Sequence, residues 1–351
     1  MRRFLTILLL LVLLVLGGGT VALWTPDTDV AEMKAKYGGP EALYAPAVGG
    51  MQVHYRVSGP ADAPAVILIH GLSASLHTWE PLRATLEDGY RVIAYDQPGH
   101  GLTGPHPERD YSYEGMADGL DAVFAAEGIE EAVLIGNSMG GWMAWRDAVS
   151  RPDRVKALVL VDAAGIPESF IESSNLGFRL MQHPLGRLAS TKLTPRSAIE
   201  ASIYGTLSKD EVMDDAMIDR YWELTRYPGN RQALADQFSN DRADVSDRLG
   251  EVTVPTLVVF GDEDPLIHPR AADGFVERMP NARAILYEGV GHAPMEEIPA
   301  LFGADVRAFL DEEIFPPVYV PEPMPLIEEE VEDADLGDAP LAPEPLPSDM
   351  P

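Results

Sequence analysis

The chain contains no cysteine. That absence removes disulfides, a thiol nucleophile, Cys-ligated zinc and a lipidated cysteine anchor from consideration. Basic residues are scarce as well. The 26 Lys and Arg stand against 56 Asp and Glu, a net charge of −30. Nothing here offers a basic patch to a phosphate backbone, so nucleic acid is not an expected partner. No internal repeat is apparent. Charge is missing from residues 4–24, and Lys, Arg and His are missing from residues 316–351.

These two ends differ from the middle. Residues 4–24 follow Met1-Arg2-Arg3 and include "ILLLLVLLVL". A helix of that length rises ~30 Å, enough to cross the hydrocarbon core of a bilayer. Arg2 and Arg3 would hold the amino end in the cytoplasm. The expectation is a membrane anchor over residues 1–25, with the folded body on the extracytoplasmic side, periplasmic in a bacterium. The alternative is a signal peptide and a secreted chain, although "GGGTVA" lacks a clear A-x-A site. Residues 26–45 read as a linker. The last 36 residues hold ten prolines and ten acids. They cannot bury enough apolar surface to offset ordering entropy, so residues 313–351 read as a disordered acidic tail.

The middle is globular in composition. Apolar runs of strand length fall at 65–70, 90–96, 131–136, 155–162, 254–261 and 282–287. Most are continuously apolar, as strands covered on both faces are. Helix-like stretches lie between them at 80–88, 112–127, 139–150, 270–279 and 296–310. This alternation predicts an α/β fold with a mostly parallel sheet and helices on both faces. Residues 49–60 read as an antiparallel edge strand ahead of it. About ninety residues between 162 and 254 carry helix-like patterns and no strong strand. They predict a helical insertion over 164–249, between core segments 46–163 and 250–312. Ligands in open α/β sheets bind beyond the carboxyl ends of the strands, where such an insertion would form a lid.

The stretch "VLIGNSMGGW" places Gly136-x-Ser138-x-Gly140 directly after a strand. Flanking glycines let strand and helix approach without Cβ clashes. Such a turn would hold Ser138 strained, with its hydroxyl exposed. These five residues alone also suit a Gly-rich loop closing an ordinary βα unit. Other strand ends carry His70-Gly71-Leu72, "GDEDPLIHP" and, in a late Gly-rich loop, "YEGVGHAPMEEIP". Ser138, Asp264 and His292 follow one another in the order Ser, Asp, His.

Through "HG", "YDQPGHG", "GNSMGG", "VLVDAAG", "GDEDPLI" and "GHAPMEEIP", the chain resembles the α/β-hydrolase superfamily with a helical cap. The similarity runs over about residues 51–310. It implies Ser138 as nucleophile, His292 as its base and Asp264 as the acid that orients the imidazole. The backbone N–H groups of Leu72 and Met139 would meet the oxyanion. Asp162 stands where some members carry the acid instead. His70, His77, His100 and His106 are the competing histidines, with His70 expected to bond backbone. Trp142 and Trp145 are expected in the core.

Serine at the elbow separates the chain from the related haloalkane dehalogenases and epoxide hydrolases, which carry aspartate there. The expected activity is hydrolysis of carboxylic esters with small to medium apolar acyl groups, through an acyl-enzyme. "GNSMGG" is also similar to the elbow of meta-cleavage-product hydrolases, so C–C bond hydrolysis is the alternative. A non-enzymatic binding protein of this fold is a third reading. The resemblance calls for no metal or organic cofactor. In the insertion, Phe170, Ile171, Leu176, Phe178, Met181, Tyr221, Trp222, Leu224 and Tyr227 are candidates to line an acyl pocket or to pack the cap. Arg179 and Arg231 read as solvated.

Overall fold

The computed structural model describes residues 24–169, 176–209, 212–239 and 244–316. Of the expected anchor only its final residues, 24 and 25, lie inside these limits. Of the expected tail only residues 313–316 do. Among the described residues no helix is long and apolar enough to cross a membrane.

Eight strands form one sheet: β1 (Leu43–Pro46), β2 (Gln52–Ser58), β3 (Ala65–Ile69), β4 (Arg91–Tyr95), β5 (Ala132–Asn137), β6 (Val155–Val161), β7 (Thr256–Gly261) and β8 (Ala282–Tyr287). Their order is β1-β2-β4-β3-β5-β6-β7-β8. The pairs from β4 to β8 are parallel, and only β1–β2 and β2–β4 are antiparallel. The predicted α/β fold is therefore present.

Two expectations at the amino end need correction. Residues 52–58 form a strand, but it is second in the sheet, not its edge. The edge is β1, drawn from residues expected to be a linker. A four-residue strand ending in Pro46 gives little sequence signal, and proline is tolerated at an edge because no neighbour needs its missing N–H. Nor are residues 26–42 a free linker. They contain α1 (Val30–Met33), capped by the Asp29 carboxylate accepting from the Glu32 N–H, and a wider helical turn at Lys34–Gly38.

Side-chain alternation on the strands sorts the core into two layers. Ile67 and Ile69 of β3 face a cluster with Met116, Met143 and Phe275. These come from α3 (Tyr113–Glu127), α4 (Met139–Ser150) and α10 (Ala271–Arg278). Val66 and Leu68 face Leu82, Phe302 and Val306 on the other side. These come from α2 (Glu80–Leu86) and α12 (Pro299–Ala308), the latter preceded by α11 (Pro294–Glu297). Between β6 and β7 lie α5 (Leu176–Gln182), α6 (Pro184–Ser190), α7 (Arg196–Tyr204), α8 (Asp215–Thr225) and α9 (Asn230–Gln237). All five fall in the interval read as a helical insertion.

The turn from β5 into α4 is closely packed against backbone. A methyl group at Gly136 would lie 2.2 Å from the Gly140 oxygen, and one at Gly140 would lie 2.0 Å from the Ile69 oxygen. Both obstacles are backbone and cannot rotate away. Gly140→Ala should therefore destabilise the fold by ~2 kcal/mol or more, as overpacking does. Urea unfolding followed by circular dichroism measures this, and a change under ~0.5 kcal/mol would contradict it.

Candidate active site

Ser138 occupies the tight turn with φ 54° and ψ −115°. Positive φ for a non-glycine residue costs of order 1–3 kcal/mol and persists only where its surroundings enforce it. Here three backbone bonds do so. The Ser138 N–H donates to the Val161 oxygen at 2.9 Å, and its carbonyl accepts from Trp142 and Ala164, each at 3.1 Å. Met139, next in sequence, opens α4 at the positive end of the helix dipole.

His292 lies in the loop before α11. Its Nδ1 is 2.7 Å from Asp264 Oδ2. The other Asp264 oxygen accepts from the Leu266 and Ile267 N–H groups at 2.7 and 3.0 Å. A carboxylate that accepts from all three directions makes Nδ1 the donor. In a neutral ring, Nε2 is then the acceptor. His292 and Asp264 are both buried, at 6% and 3% exposure. Ser138, His292 and Leu72 line one cavity of about 290 Å³. Gly71 abuts the serine, since a methyl group there would lie 3.2 Å from Ser138 Cβ.

The loop after β3 is fixed by His70. The Gln97 N–H donates to its Nε2 at 3.0 Å, so Nδ1 carries the hydrogen and donates to the Gly71 oxygen at 2.7 Å. Burial pushes the His70 imidazole below its ordinary value, which keeps this tautomer neutral. None of His70, His77, His100 and His106 lines the cavity. Trp142 and Trp145 are buried in the core.

Asp162, the rival acid, directly follows β6. Its Oδ1 accepts from the Gly261 N–H at 2.9 Å. Ligand-type atoms of Asp162, Asp264 and His292 all lie within 4.8 Å of one another. No hydrogen bond links Asp162 to His292 among those described, whereas Asp264 has one. Burial first, and the Asp264 carboxylate second, push the Asp162 carboxyl well above the ordinary carboxylate range.

Two groups in the late loop carry signals too weak to single out in sequence. Glu297 accepts from the N–H groups of Gly291, Ala293 and Ser208, so it joins the His292 loop to the insertion. Its neighbour Glu296 lines the cavity and accepts from Tyr221 at 2.9 Å and Arg220 at 3.1 Å. In "MEEIP" the two read alike. Their partners in the fold separate their duties.

The insertion supplies much of the cavity wall. Met181 and Tyr221 line it, whereas Trp222, Leu224 and Tyr227 do not. Phe170 and Ile171, and the side chains of Leu176 and Phe178, lie outside what is described. Arg231, read as solvated, is instead 3% exposed and lines the cavity. It donates to the Thr25 oxygen at 2.8 Å and to Asp27 at 2.5 Å. Its partners lie some two hundred residues earlier, which no local pattern reveals.

A strand-turn-helix serine, a late histidine and a buried aspartate thus gather at the carboxyl ends of a parallel sheet. The family model described as alpha/beta hydrolase fold matches residues 64–299, and the chain belongs to that family. A putative carbamate hydrolase, RutD, from Variovorax paradoxus is 30% identical over 74% of this chain and 96% of its own. Among solved structures, the esterase RhEst1 from a Rhodococcus species is similar at 27% identity and TM-score 0.64, over 78% of this chain and 99% of that one. A membrane phospholipase A described as a bacterial virulence factor is similar at 25% identity and TM-score 0.67, over 89% and 99%. The chain is thus a hydrolase of the α/β fold.

The Asp162 environment has a consequence for stability. In the unfolded chain an aspartate ionises near pH ~3.9. In the fold Asp162 holds its proton to higher pH, so the folded state binds more protons and stability falls as pH rises above that value. Asp162→Asn keeps an acceptor for Gly261 and stays neutral. Its melting temperature relative to wild type should therefore be more favourable at pH 7 than at pH 4. A relative change in the opposite direction would mean that Asp162 is ionised.

Proposed function

We propose that the chain is a serine hydrolase that cleaves carboxylic esters of small to medium apolar acyl groups through an acyl-enzyme on Ser138. The observation that carries this reading is one cavity lined by Ser138 and His292, with His292 Nδ1 held by Asp264 at 2.7 Å. The names of the similar esterase and membrane phospholipase A support ester chemistry.

In this reading, Ser138 Oγ attacks the ester carbonyl carbon while His292 Nε2 takes its proton. The imidazolium that forms is stabilised across Nδ1 by Asp264. The carbonyl oxygen becomes an oxyanion facing the N–H groups of Leu72 and Met139, each such donor being worth ~3 kcal/mol. When the tetrahedral intermediate collapses, the C–O bond breaks and the leaving alcohol takes the proton from His292. Water then attacks the acyl-enzyme, giving its proton to the same nitrogen, and the acid and free serine follow. Asp162, neutral beside Asp264, leaves the single negative charge on the carboxylate that faces His292.

Asn137 carried the C–C alternative. Its buried amide donates to the oxygens of His292 and Val161 at 3.0 and 3.2 Å. That is a structural task with no preference for C–C bonds, so ester cleavage stands as the reading. The apolar residues 4–24 anchor the chain in a membrane in this proposal, with the enzymatic body outside.

Ser138→Ala should lower kcat on p-nitrophenyl esters by on the order of a million-fold and abolish fluorophosphonate labelling. Asp264→Asn should lower it by ~10⁴, as the equivalent change does in a serine protease of another fold. Asp162→Asn should stay within about tenfold of wild type, by the neutral-carboxyl argument. Circular dichroism checks that all three fold. Hydrolysis by Ser138→Ala within tenfold of wild type would place the nucleophile elsewhere. An Asp162→Asn enzyme more crippled than Asp264→Asn would reverse the acid assignment. Carbonate washing tests the anchor: full-length protein should stay with the membranes.

A further inference from the structure

The insertion carries a surface that the reaction does not use. From Ser173 to Ile199 the sequence holds no Asp or Glu, in a chain with 56 of them. The same stretch holds Arg179, Arg187, Lys192 and Arg196. Residues 176–190 of it form α5 and α6, which pack on each other: a methyl group at Gly186 would lie 1.9 Å from the Leu180 oxygen. Arg196 lies beyond them on α7, paired with Glu200, Asp215 and Asp219. The Arg187 guanidinium donates to the carbonyls of Met181 and Gln182 at 3.2 and 3.1 Å, closing the hairpin.

This hairpin turns leucines outward. Leu185 is 70% exposed and Leu188 69%, the highest values among the exposed large hydrophobic side chains described. They lie three apart on α6, hence on one face. Leu180 of α5 is 51% exposed. Exposed leucines beside basic groups are what a helix resting in a lipid headgroup layer presents.

Two independent observations indicate what covers them. The first is where residues 4–24 meet the folded body. The Thr25 N–H donates to the Lys192 oxygen at 3.0 Å, and the Thr194 N–H to Thr25 Oγ1 at 2.9 Å. Trp24 is 55% exposed, with the Lys192 ammonium 5.8 Å from its ring centre. The uncharged run therefore ends just past α6, at a tryptophan, the residue type enriched at membrane interfaces. The second is the cavity. Leu180 and Ala189 are exposed and also line it. The space containing Ser138 thus reaches the surface at this hairpin.

We propose that the α5–α6 hairpin, together with Trp24, is the surface by which the enzyme rests on an anionic lipid bilayer, and that acyl-lipid substrate enters the cavity from that bilayer. The second half rests on the ester-hydrolase reading, and the first does not. Net charge of −30 repels most of the molecule from an anionic surface. The acid-free stretch is the part that such a surface attracts, so charge sets the orientation as well as the contact.

Because the chain lacks cysteine, Leu188→Cys in the full-length protein takes a single environment-sensitive fluorophore. Leu286→Cys, at a residue 57% exposed on β8, is the reference. Both are reconstituted into phosphatidylglycerol-containing vesicles. The probe at 188 should shift to the blue and be quenched by nitroxide lipids, while the probe at 286 should not. Equal water exposure at both positions, or no association with the vesicles, overturns the contact. Leu185 and Leu188 do not line the cavity, so Leu185→Glu/Leu188→Glu tests delivery. Hydrolysis of vesicle-embedded diacylglycerol should fall at least tenfold, while soluble p-nitrophenyl butyrate stays within twofold. Equal losses on both substrates, or none on the vesicle substrate, overturn delivery from the bilayer. A wild-type enzyme inert on every ester, with the probe at 188 still buried, refutes the ester reading and not the contact.

Discussion

The structure turns on the close approach of the β5–α4 turn to the end of β3. Ser138 has left-handed φ, and Gly136 and Gly140 leave no space for a methyl group against the Gly140 and Ile69 oxygens. A strained residue of this kind relaxes unless its neighbours forbid it. Here the sheet forbids it, because the Ser138 N–H bonds to Val161 at the end of β6 and its carbonyl bonds to Ala164 just beyond. The same packing brings Gly71, at the end of β3, against the serine. One steric constraint therefore sets the serine hydroxyl, the loop that His70 fixes and the amino end of α4 in one place.

Around that joint, charge is distributed with equal economy. Asp162 and Asp264 meet in a buried space, and two carboxylates side by side there cannot both ionise. The partners decide between them. Asp264 has two backbone N–H groups and the His292 ring, whereas Asp162 has the single Gly261 N–H. The proton belongs on Asp162. A buried neutral acid then serves as a dipole beside the Asp264–His292 hydrogen bond without a second charge to solvate.

Much of this was legible in the chain. Strands buried on both faces read as continuous apolar runs, and β3 to β8 fall within the predicted intervals except that β5 runs one residue further, to Asn137. Ser138, Asp264 and His292 were legible because each follows a strand in a short motif with a steric or turn signature. The amino-terminal strap was not. Its β1 is four residues long, and its remaining ties run to residues such as Arg231 and Lys192 that are distant in sequence. Arg231 read as solvated because its partners, Thr25 and Asp27, lay in what looked like the end of an anchor and the start of a linker. Long-range pairing of a polar segment leaves no periodicity, so local pattern reading could not find it.

The insertion is fastened to the late loop in a way that bears on how a substrate enters. The His292 N–H donates to the Thr206 oxygen at 3.1 Å, and the Ser208 N–H donates to Glu297 at 2.9 Å. Glu297 in turn accepts from Gly291 and Ala293, on either side of the histidine. A rigid swing of the whole insertion would break these bonds and disturb the loop that carries His292. It would also strip the buried Arg231 of its partners in the strap. Entry that leaves the insertion seated costs neither. The wall where Leu180 and Ala189 are exposed and line the cavity offers that route, past helices whose outer face is apolar and free of acids.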